Sequence, residues 1–194
     1  MQNLNILVSR FVLAAAVAAL PVSMSAQTGS MASGSSKAGT LSAADKKFVR
    51  DAAQGGMAEV ELGKLATEKA SSDEVKKFGQ RMVDDHTKAA DQLKEIASSK
   101  GIQVPTKLSA KDQMTKDRLS KLSGEQFDKA YMNDMVKDHT QDVAEFKHES
   151  TSGTDPDIKN FASTTLPTLQ DHLKQAKELA PSSRSAKNNM KGSQ

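Results

Sequence analysis

The sequence contains no cysteine and no tryptophan, and six phenylalanines and one tyrosine are the only aromatic residues among its 194. Without cysteine the chain forms no disulfide and has no thiolate to act as a nucleophile or to bind a metal. So few aromatic residues argue against a β-sandwich or β-barrel. No Gly-x-Ser-x-Gly elbow and no glycine-rich phosphate loop occurs either. These absences weigh against an enzyme, and the sequence names no reaction.

One apolar run, FVLAAAVAAL, ends at Leu20. Its ten residues are too few to span a bilayer, which needs about 20. An arginine precedes the run, and a proline and small residues follow it, as is typical of a cleaved secretory signal. We predict a signal peptide over residues 1–26, cut after Ser25 or Ala26. The protein is therefore expected to be exported to the periplasm or cell envelope of a bacterium, with no transmembrane helix after signal removal.

Both ends of the chain are poor in residues that could form a core. Residues 27–40 are rich in Gly, Ser, Ala and Thr, and residues 181–194 are polar and basic. We predict a flexible linker and a disordered basic tail. The ends carry five of the 27 basic residues and none of the 24 acidic ones, so residues 41–180 have a net charge of −2. This negative net charge excludes a basic nucleic-acid surface on the folded part. The basic tail could contact an anionic envelope surface weakly. The oligomeric state is not indicated.

Helix start and stop signals divide residues 41–180 into four long segments and one short one. We predict helices over Lys46–Lys69, from Ser71 to near Ser99, from Ser109 to near Leu122, from Gly124 to about Thr151 and from Pro156 to about Leu179. No segment alternates with period two. The pattern predicts an all-α protein, an antiparallel four-helix bundle with a short extra helix in the middle connection.

Local signals add detail to these helices. Predicted capping pairs are Ser42 with Asp45, Ser71 with Glu74, and Ser109 with Asp112. Gly55, Gly56 and Gly63 lie within the first helix, where each costs about 1 kcal/mol relative to alanine. We therefore expect a neighbouring helix to approach closely at these glycines. Pro167 is predicted to kink the last helix.

A short histidine motif recurs in the long helices. The segment MVDDHT is followed 53 residues later by MVKDHT, and the last helix contains the shorter form LQDH. The histidines of these segments are His86, His139 and His172. Each falls on the apolar stripe of its helix, because apolar residues precede and follow it at steps of three or four. Three imidazoles on three buried stripes predict a polar layer inside the bundle.

The depth of these histidines along the bundle can be compared. If the second and third long helices are antiparallel, His86 and His139 both lie about 21 Å from their shared end. The first helix places the stretch from Met57 to Glu61 at that level, so a glutamate there could face inward. His172 matches less well and would need a kink or an offset helix to reach the same level.

Imidazoles and carboxylates that meet inside a helical bundle typically bind Zn²⁺, Mn²⁺ or iron. The candidate metal ligands are His86, His139, His172, Glu59 and Glu61. An aspartate directly before a histidine points about 100° away and can hold the imidazole of a neighbouring helix. We expect this supporting role for Asp85, Asp138, Asp171 and Asp128.

The same pattern has a structural interpretation. Core histidines can hydrogen-bond to a buried carboxylate and only fix the register of the helices. The protein would then be a non-enzymatic interaction or stress module of the cell envelope. The Glu-x-x-His pair of di-iron bundles is absent, since Val83 and Val136 stand three residues before His86 and His139. The sequence leaves both interpretations open.

Several segments together resemble an exported bacterial family catalogued as domain of unknown function 4142. They are GGMAEVELG from Gly55, the two MV-x-DH segments, FDKAY from Phe127 and TLPTLQDH from Thr165. The resemblance covers about Ala44 to Leu179. It implies a ferritin-like four-helix bundle in the periplasm or cell envelope, and it favours a metal at the histidines. It implies no reaction, and the missing Glu-x-x-His pairs argue against a ferroxidase or oxygenase site of the usual kind.

Overall fold

A computed structural model describes residues 41–180 of the protein. The predicted signal peptide (1–26), linker (27–40) and tail (181–194) lie outside the described residues. The described part is helical without strands, which confirms the predicted all-α bundle and its short middle helix. Its helices are α1 (Ala43–Lys69), α2 (Asp73–Ser99), α3 (Ala110–Ser120), α4 (Gly124–Ser152) and α5 (Pro156–Leu179). Among these five helices, none combines the length and the apolar character needed to cross a membrane.

Most helix ends follow the capping signals of the sequence. Ser42, Ser109 and Asp155 accept hydrogen bonds of 2.9–3.1 Å from backbone amides in the first turns of α1, α3 and α5. After α2 the chain turns at Gly101, whose φ of 64° suits a residue without a Cβ. α5 continues through Pro167 as one helix.

The capping prediction for α2 is wrong by one residue. Ser72 is the N-cap, and its hydroxyl donates to the Glu74 carboxylate, 2.6 Å away. Ser71 donates from its amide (3.0 Å) and its hydroxyl (2.7 Å) to Asp128 of α4, which also accepts a bond from the Ser72 amide at 3.0 Å. Asp128 therefore secures the α1–α2 turn at the end of the bundle.

Contacts at the two ends define the helix directions. The bonds of Asp128 place the α1–α2 turn beside the start of α4. At the opposite end, Asp45 near the start of α1 accepts hydrogen bonds from Thr154 and Asp155, between α4 and α5. Hence α1 and α5 run one way, and α2 and α4 run the other. Each long helix is antiparallel to the helices it packs on, and the connection over residues 100–123, which carries α3, returns the chain along the bundle.

The buried apolar side chains form two clusters. One lies toward the α1–α2 turn and contains Leu62, Phe78, Met82, Phe127, Tyr131 and Met135 among others. The other lies toward the α4–α5 turn and includes Phe48, Leu93, Phe146, Ile158, Phe161 and Leu169. Between them, each long helix contributes one buried polar residue: Glu59, His86, His139 and His172. A polar layer thus divides the core.

Only one of the three glycines of α1 lies where a neighbouring helix comes as close as predicted. Gly63 does lie against α2, so that part of the prediction is confirmed. At Gly55 and Gly56 the prediction is wrong: an added Cβ at Gly55 would meet nothing within 4 Å, and one at Gly56 would meet only the His86 ring, at 3.9 Å. These two glycines instead leave open space beside Glu59.

Candidate metal centre

The four buried polar residues of the core lie at one depth. Glu59 and His172 each stand 16 residues after the first residue of their helices, and His86 and His139 each stand 13 residues before the last. Because α1 and α5 begin where α2 and α4 end, a rise of about 1.5 Å per residue puts all four within one turn, about 20–24 Å from that end. His172 needs no kink to reach this level. The assumption that α2 and α4 are antiparallel is wrong, since they run parallel.

The three imidazoles converge in the bundle interior. Their ring centroids are 5.3 Å (His139–His172), 5.4 Å (His86–His172) and 5.8 Å (His86–His139) apart. One nitrogen of each ring lies within 4.8 Å of the others, and the three residues are at most 6% exposed. The structure thus brings together three of the residues that the sequence singled out.

Hydrogen bonds on the outer sides of two rings fix their tautomers. Nδ1 of His139 lies 3.0 Å from the carbonyl oxygen of Met135, which can only accept, so this nitrogen carries the proton. Nε2 of His172 lies 2.8 Å from the Asp85 carboxylate and carries the proton for the same reason. The remaining nitrogens, Nε2 of His139 and Nδ1 of His172, are 3.3 Å apart. Each presents a lone pair to the other, and neither has a proton to donate.

Protonation of His139 or His172 does not remove this repulsion between lone pairs at neutral pH. Burial lowers the pKa of His172 to about 4, despite the hydrogen bond to Asp85. Burial likewise lowers the pKa of His139, against the opposing charge of Glu59. Both rings are therefore neutral around pH 7. Two lone pairs that face each other in a buried site are favourable only when a cation lies between them.

Glu59 faces the histidines from α1. Its Oε2 is 2.8 Å from Nε2 of His86, and its Oε1 is 3.2 Å from Nδ1 of His139. Burial opposes its ionisation, but the electrostatic interactions with the imidazoles of His139 and His86 outweigh burial and lower the pKa of Glu59. Despite these short distances, neither Oε1 of Glu59 nor Nε2 of His86 makes a hydrogen bond of good geometry. A buried ionised carboxylate with an unfilled acceptor favours a bound cation.

The contact between His139 and His172 has the spacing of two ligands on a tetrahedral metal ion. Two nitrogens bonded to one ion at about 2.0–2.1 Å on tetrahedral directions are about 3.3 Å apart. This is the distance between Nε2 of His139 and Nδ1 of His172. One nitrogen of His86 lies within 4.8 Å of both and completes a set of three nitrogen donors. The Glu59 carboxylate lies beside this set, next to Nε2 of His86 and to Nδ1 of His139 on the other edge of that ring. Such a set suits Zn²⁺ and other divalent transition metals.

An ion-pair network supports the site on the α2–α5 side. Arg81 bonds Asp85 through Nε at 3.1 Å and Asp171 through Nη1 at 2.7 Å. Burial raises the pKa of Asp85, but the hydrogen bonds from His172 and Arg81 more than offset this effect, so its pKa is lowered. Asp85 thus has the supporting contact expected of it, whereas Asp171 holds the arginine and not an imidazole. The sequence reasoning missed Arg81, although its spacing of four residues from Asp85 was a signal.

Other candidate residues lie elsewhere. Glu61 does not join the histidines, because its carboxylate oxygens pair with Lys64 at 2.9 Å and Lys116 at 2.6 Å. Asp128, as described above, secures the α1–α2 turn at the end of the bundle. Asp138 is half-buried beside the cluster, where burial and the charge of Glu59 raise its pKa to about 6.

One residue near the three histidines was not among the ligands predicted from the sequence, where it was interpreted as part of a solvated helix flank. Asp142 of α4 offers a carboxylate oxygen within 4.8 Å of ligand atoms of Glu59 and His139. Burial and the charge of Glu59 raise the pKa of Asp142 to about 9. The available signal was its position three residues after His139, which places both side chains on neighbouring parts of one helix face.

Comparison with known proteins identifies the family. The family model described as "Domain of unknown function (DUF4142)" matches residues 30–179. The chain belongs to the DUF4142 family. No curated protein sequence in the comparison matches it.

Several solved structures share the fold of this DUF4142 chain. A DUF305 fragment from Deinococcus radiodurans superposes with a TM-score of 0.64 at 14% identity, over 72% of this chain and 96% of that one. A DUF305 protein from Streptomyces coelicolor superposes with a TM-score of 0.61 at 15% identity, over 70% of this chain and 89% of that one. CopM in its Cu(I)-bound form superposes with a TM-score of 0.58 at 16% identity, over 69% of this chain and 93% of that one. At these identities the likeness is one of fold.

Within this fold, the DUF4142 chain has a donor set unlike that of paired Glu-x-x-His sites. Its four helices supply one glutamate and three histidines, and Val83 and Val136 occupy the positions three residues before His86 and His139. A single carboxylate with three imidazoles fits one ion better than a carboxylate-bridged pair.

Proposed function

We propose that this DUF4142 protein is an exported helical bundle that binds one divalent transition-metal ion through Glu59, His86, His139 and His172, for storage, buffering or stress protection. The observation that carries the proposal is the distance of 3.3 Å between Nε2 of His139 and Nδ1 of His172, two rings whose other nitrogens already face acceptors. A metal ion is the partner that the lone pairs of these two nitrogens can share. No step of catalysis is assigned to the site.

The donor chemistry limits the identity of the ion. Three imidazoles with a carboxylate beside them suit Zn²⁺, and at a given site of nitrogen and oxygen donors Cu²⁺ binds more tightly than the other divalent ions of its row. The fold neighbour CopM is described in copper-bound and silver-bound forms. We therefore propose Zn²⁺ or Cu²⁺ as the ion. Mn²⁺ and Fe²⁺, which the sequence also suggested, prefer sites with more oxygen ligands or open positions.

Export is the second part of the proposal. It rests on the predicted signal peptide over residues 1–26, which leaves a linker at 27–40, the bundle at 41–180 and the basic tail at 181–194. The DUF305 neighbour from Streptomyces coelicolor is described as a secreted protein. Mass spectrometry of the protein from a bacterial envelope fraction should find a mature chain that begins at Ala26 or Gln27. A chain that retains residues 1–26 in the cytoplasmic fraction would contradict export.

Metal titration tests the site directly. Calorimetric titration of the metal-free protein with Zn²⁺ and with Cu²⁺ should give one ion per chain. A His86→Ala/His139→Ala double variant should lose this binding, whereas His148→Ala, an exposed histidine of α4 outside the cluster, should retain it. An unchanged stoichiometry in the double variant would contradict the proposal.

A second function competes with metal binding because the contacts of His86 with Glu59 and of His172 with Asp85 join different helices and would also fix helix register. In that case the protein is an interaction module of the envelope and its histidines are structural. The double variant would then lose about 1–3 kcal/mol of stability through unpaired buried groups. The melting temperature of the wild-type protein would respond neither to metal nor to chelator. A melting temperature that rises with Zn²⁺ or Cu²⁺ and falls again with chelator excludes this second function.

A further inference from the structure

A cavity between α1, α3 and α4 reaches Glu59, beside the candidate metal centre. Its volume is about 140 Å³, and Glu59 lies in its wall. Asp134, Asp138 and Asp142 line the α4 side. Their spacing of four residues stacks them along one face of that helix. Carboxylates are thus present at successive positions along the cavity.

Glu59 provides an independent reason to associate this cavity with a cation. Its side chain is 5% exposed, yet its Oε1 makes no hydrogen bond of good geometry. The same residue faces His86 and His139 through distances of 2.8 and 3.2 Å. A cation that reached Glu59 from the cavity would therefore already be in contact with the histidine cluster.

The charge of the cavity favours positive ions. Its lining contains five acidic side chains and two lysines, Lys111 and Lys137, and both lysines are exposed. Even with a proton on Asp142, four carboxylates outnumber the two lysines, and a cation that binds Asp142 releases that proton to water. A cleft lined with an excess of one charge raises the local concentration of the opposite ion and its rate of association.

Neighbouring cavities are less suited to admit a metal ion. One of about 30 Å³ touches Glu59, His86 and Asp142, but its walls are mainly apolar. A larger one of about 280 Å³ along α1 and α2 is lined by none of the four candidate ligands.

We propose that the α1–α3–α4 cavity is the entry site of the bundle, where a divalent cation first binds Asp138 and Asp142 before it passes to Glu59 and the three histidines. The inference rests on the proposed function and assigns an entry route to that site. Asp138 and Asp142 are then transient ligands, and the final coordination does not include them.

Stopped-flow measurement of metal binding tests this route. The probe is Zn²⁺ alone, mixed with metal-free full-length protein and followed by competition with a chromophoric chelator. An Asp138→Asn/Asp142→Asn double variant should bind Zn²⁺ about tenfold more slowly than the wild type, in line with the usual size of electrostatic rate effects. Its stoichiometry should remain that of the wild type. The matched control is Asp91→Asn, an exposed aspartate that lines the cavity between α1 and α2, and its rate should be unchanged.

A second variant tests the route by steric block. Thr115 of α3 is half-buried and lines this cavity but neither of the other two. Thr115→Trp should slow both association and dissociation of Zn²⁺ and leave the ratio of the two rates, and so Kd, nearly unchanged. This kinetic pattern separates an entry route from a lost ligand, which would change Kd.

Each outcome of these experiments is decisive. Slow binding in both variants with an intact stoichiometry supports the entry site. Unchanged rates, or loss of the bound ion in the aspartate double variant, overturns it, because the carboxylates would then be either uninvolved or permanent ligands. Failure of the wild-type protein to bind Zn²⁺ or Cu²⁺ would overturn the proposed function itself, and this result is distinguishable from unchanged rates in a protein that binds.

Discussion

Gly63 of α1 faces Gly79 of α2 so closely that a Cβ built on Gly63 would lie 2.6 Å from the carbonyl oxygen of Gly79. A Cβ on Gly79 would lie 2.9 Å from the carbonyl oxygen of Gly63 and 2.7 Å from the Cβ of Ala66. These obstacles are backbone atoms and a Cβ, which cannot rotate away. Because Gly63 is four residues from Glu59, this contact fixes the separation of α1 and α2 one turn from the histidine cluster.

We predict that Gly63→Ala destabilises the protein, because the overpacking cost of about 1–3 kcal/mol exceeds the gain of about 1 kcal/mol in helix propensity. The matched control is Gly55→Ala, where an added Cβ meets nothing within 4 Å. That variant should be more stable than the wild type by up to about 1 kcal/mol. Urea unfolding followed by circular dichroism measures both. Equal effects of the two substitutions would show that α1 and α2 are not in close contact at Gly63.

A second prediction concerns the support of His172. Asp85→Asn replaces the carboxylate that accepts the Nε2 proton of His172 by an amide, which holds the ring more weakly. Metal affinity should fall by about 10–100-fold, the usual effect of losing such a partner, while one ion per chain still binds at saturation. Asp84→Asn, the adjacent exposed aspartate, should leave the affinity unchanged. If both variants bind metal as the wild type does, the Asp85–His172 contact has no role in the site.

A third prediction separates Asp128 from the metal centre. Asp128→Ala removes the acceptor of three hydrogen bonds from Ser71 and Ser72. Loss of a buried charged acceptor should cost about 3 kcal/mol of stability, with no change in metal affinity per folded molecule. Glu125→Ala, an exposed substitution in the same first turn of α4, should cost far less. Denaturant unfolding and metal titration on the same samples measure the two effects. A loss of metal affinity without a loss of stability would show that Asp128 contributes to the metal centre.

A fourth prediction concerns pH and Glu149, which lies beside Asp45 at the α4–α5 end. Burial, together with the hydrogen bond and charge of Asp45, raises the pKa of Glu149 from 4.5 to about 7. Between these values the folded protein holds a proton that the unfolded chain has released, so stability falls as pH rises through this window.

Glu149→Gln removes this dependence. The variant should match the wild type near pH 4 and exceed its stability near pH 8 by about 1–2 kcal/mol, after the shift is discounted for solvent screening. Unfolding experiments at both pH values check the difference. A variant that is less stable than the wild type at pH 8 would show that the pKa of Glu149 is not raised in the folded protein.

The fold and the core histidines could be predicted because their signals are local. Steps of three and four residues place His86, His139 and His172 on buried stripes, and this periodicity depends only on helix geometry. His86 and His139 lie at the predicted common depth, although the assumed direction of α2 relative to α4 was wrong. His139 lies 15 residues from the start of α4 and 13 from its end, so it is level with His86 for either direction.

The contacts that the sequence did not predict join residues far apart in the chain. Glu59 and Glu61 are about 200° apart around α1, so only one can face the core. The small residues around them do not mark a clear apolar stripe, and the choice depends on where α2 and α4 pack. In the same way, Ser71 meets Asp128 and Arg81 meets Asp171 only after the helices assemble. Sequence periodicity shows which face of a helix is buried, but it does not show which partner it meets.

The division of donors between the two helical hairpins has a consequence for assembly. Glu59 and His86 belong to the α1–α2 hairpin, whereas His139 and His172 belong to the α4–α5 hairpin. Neither hairpin alone holds a complete coordination sphere. Under the proposed function, an ion in the centre therefore acts as a non-covalent crosslink between two halves of a chain that has no disulfide, and metal supply and cohesion of the hairpins become linked equilibria.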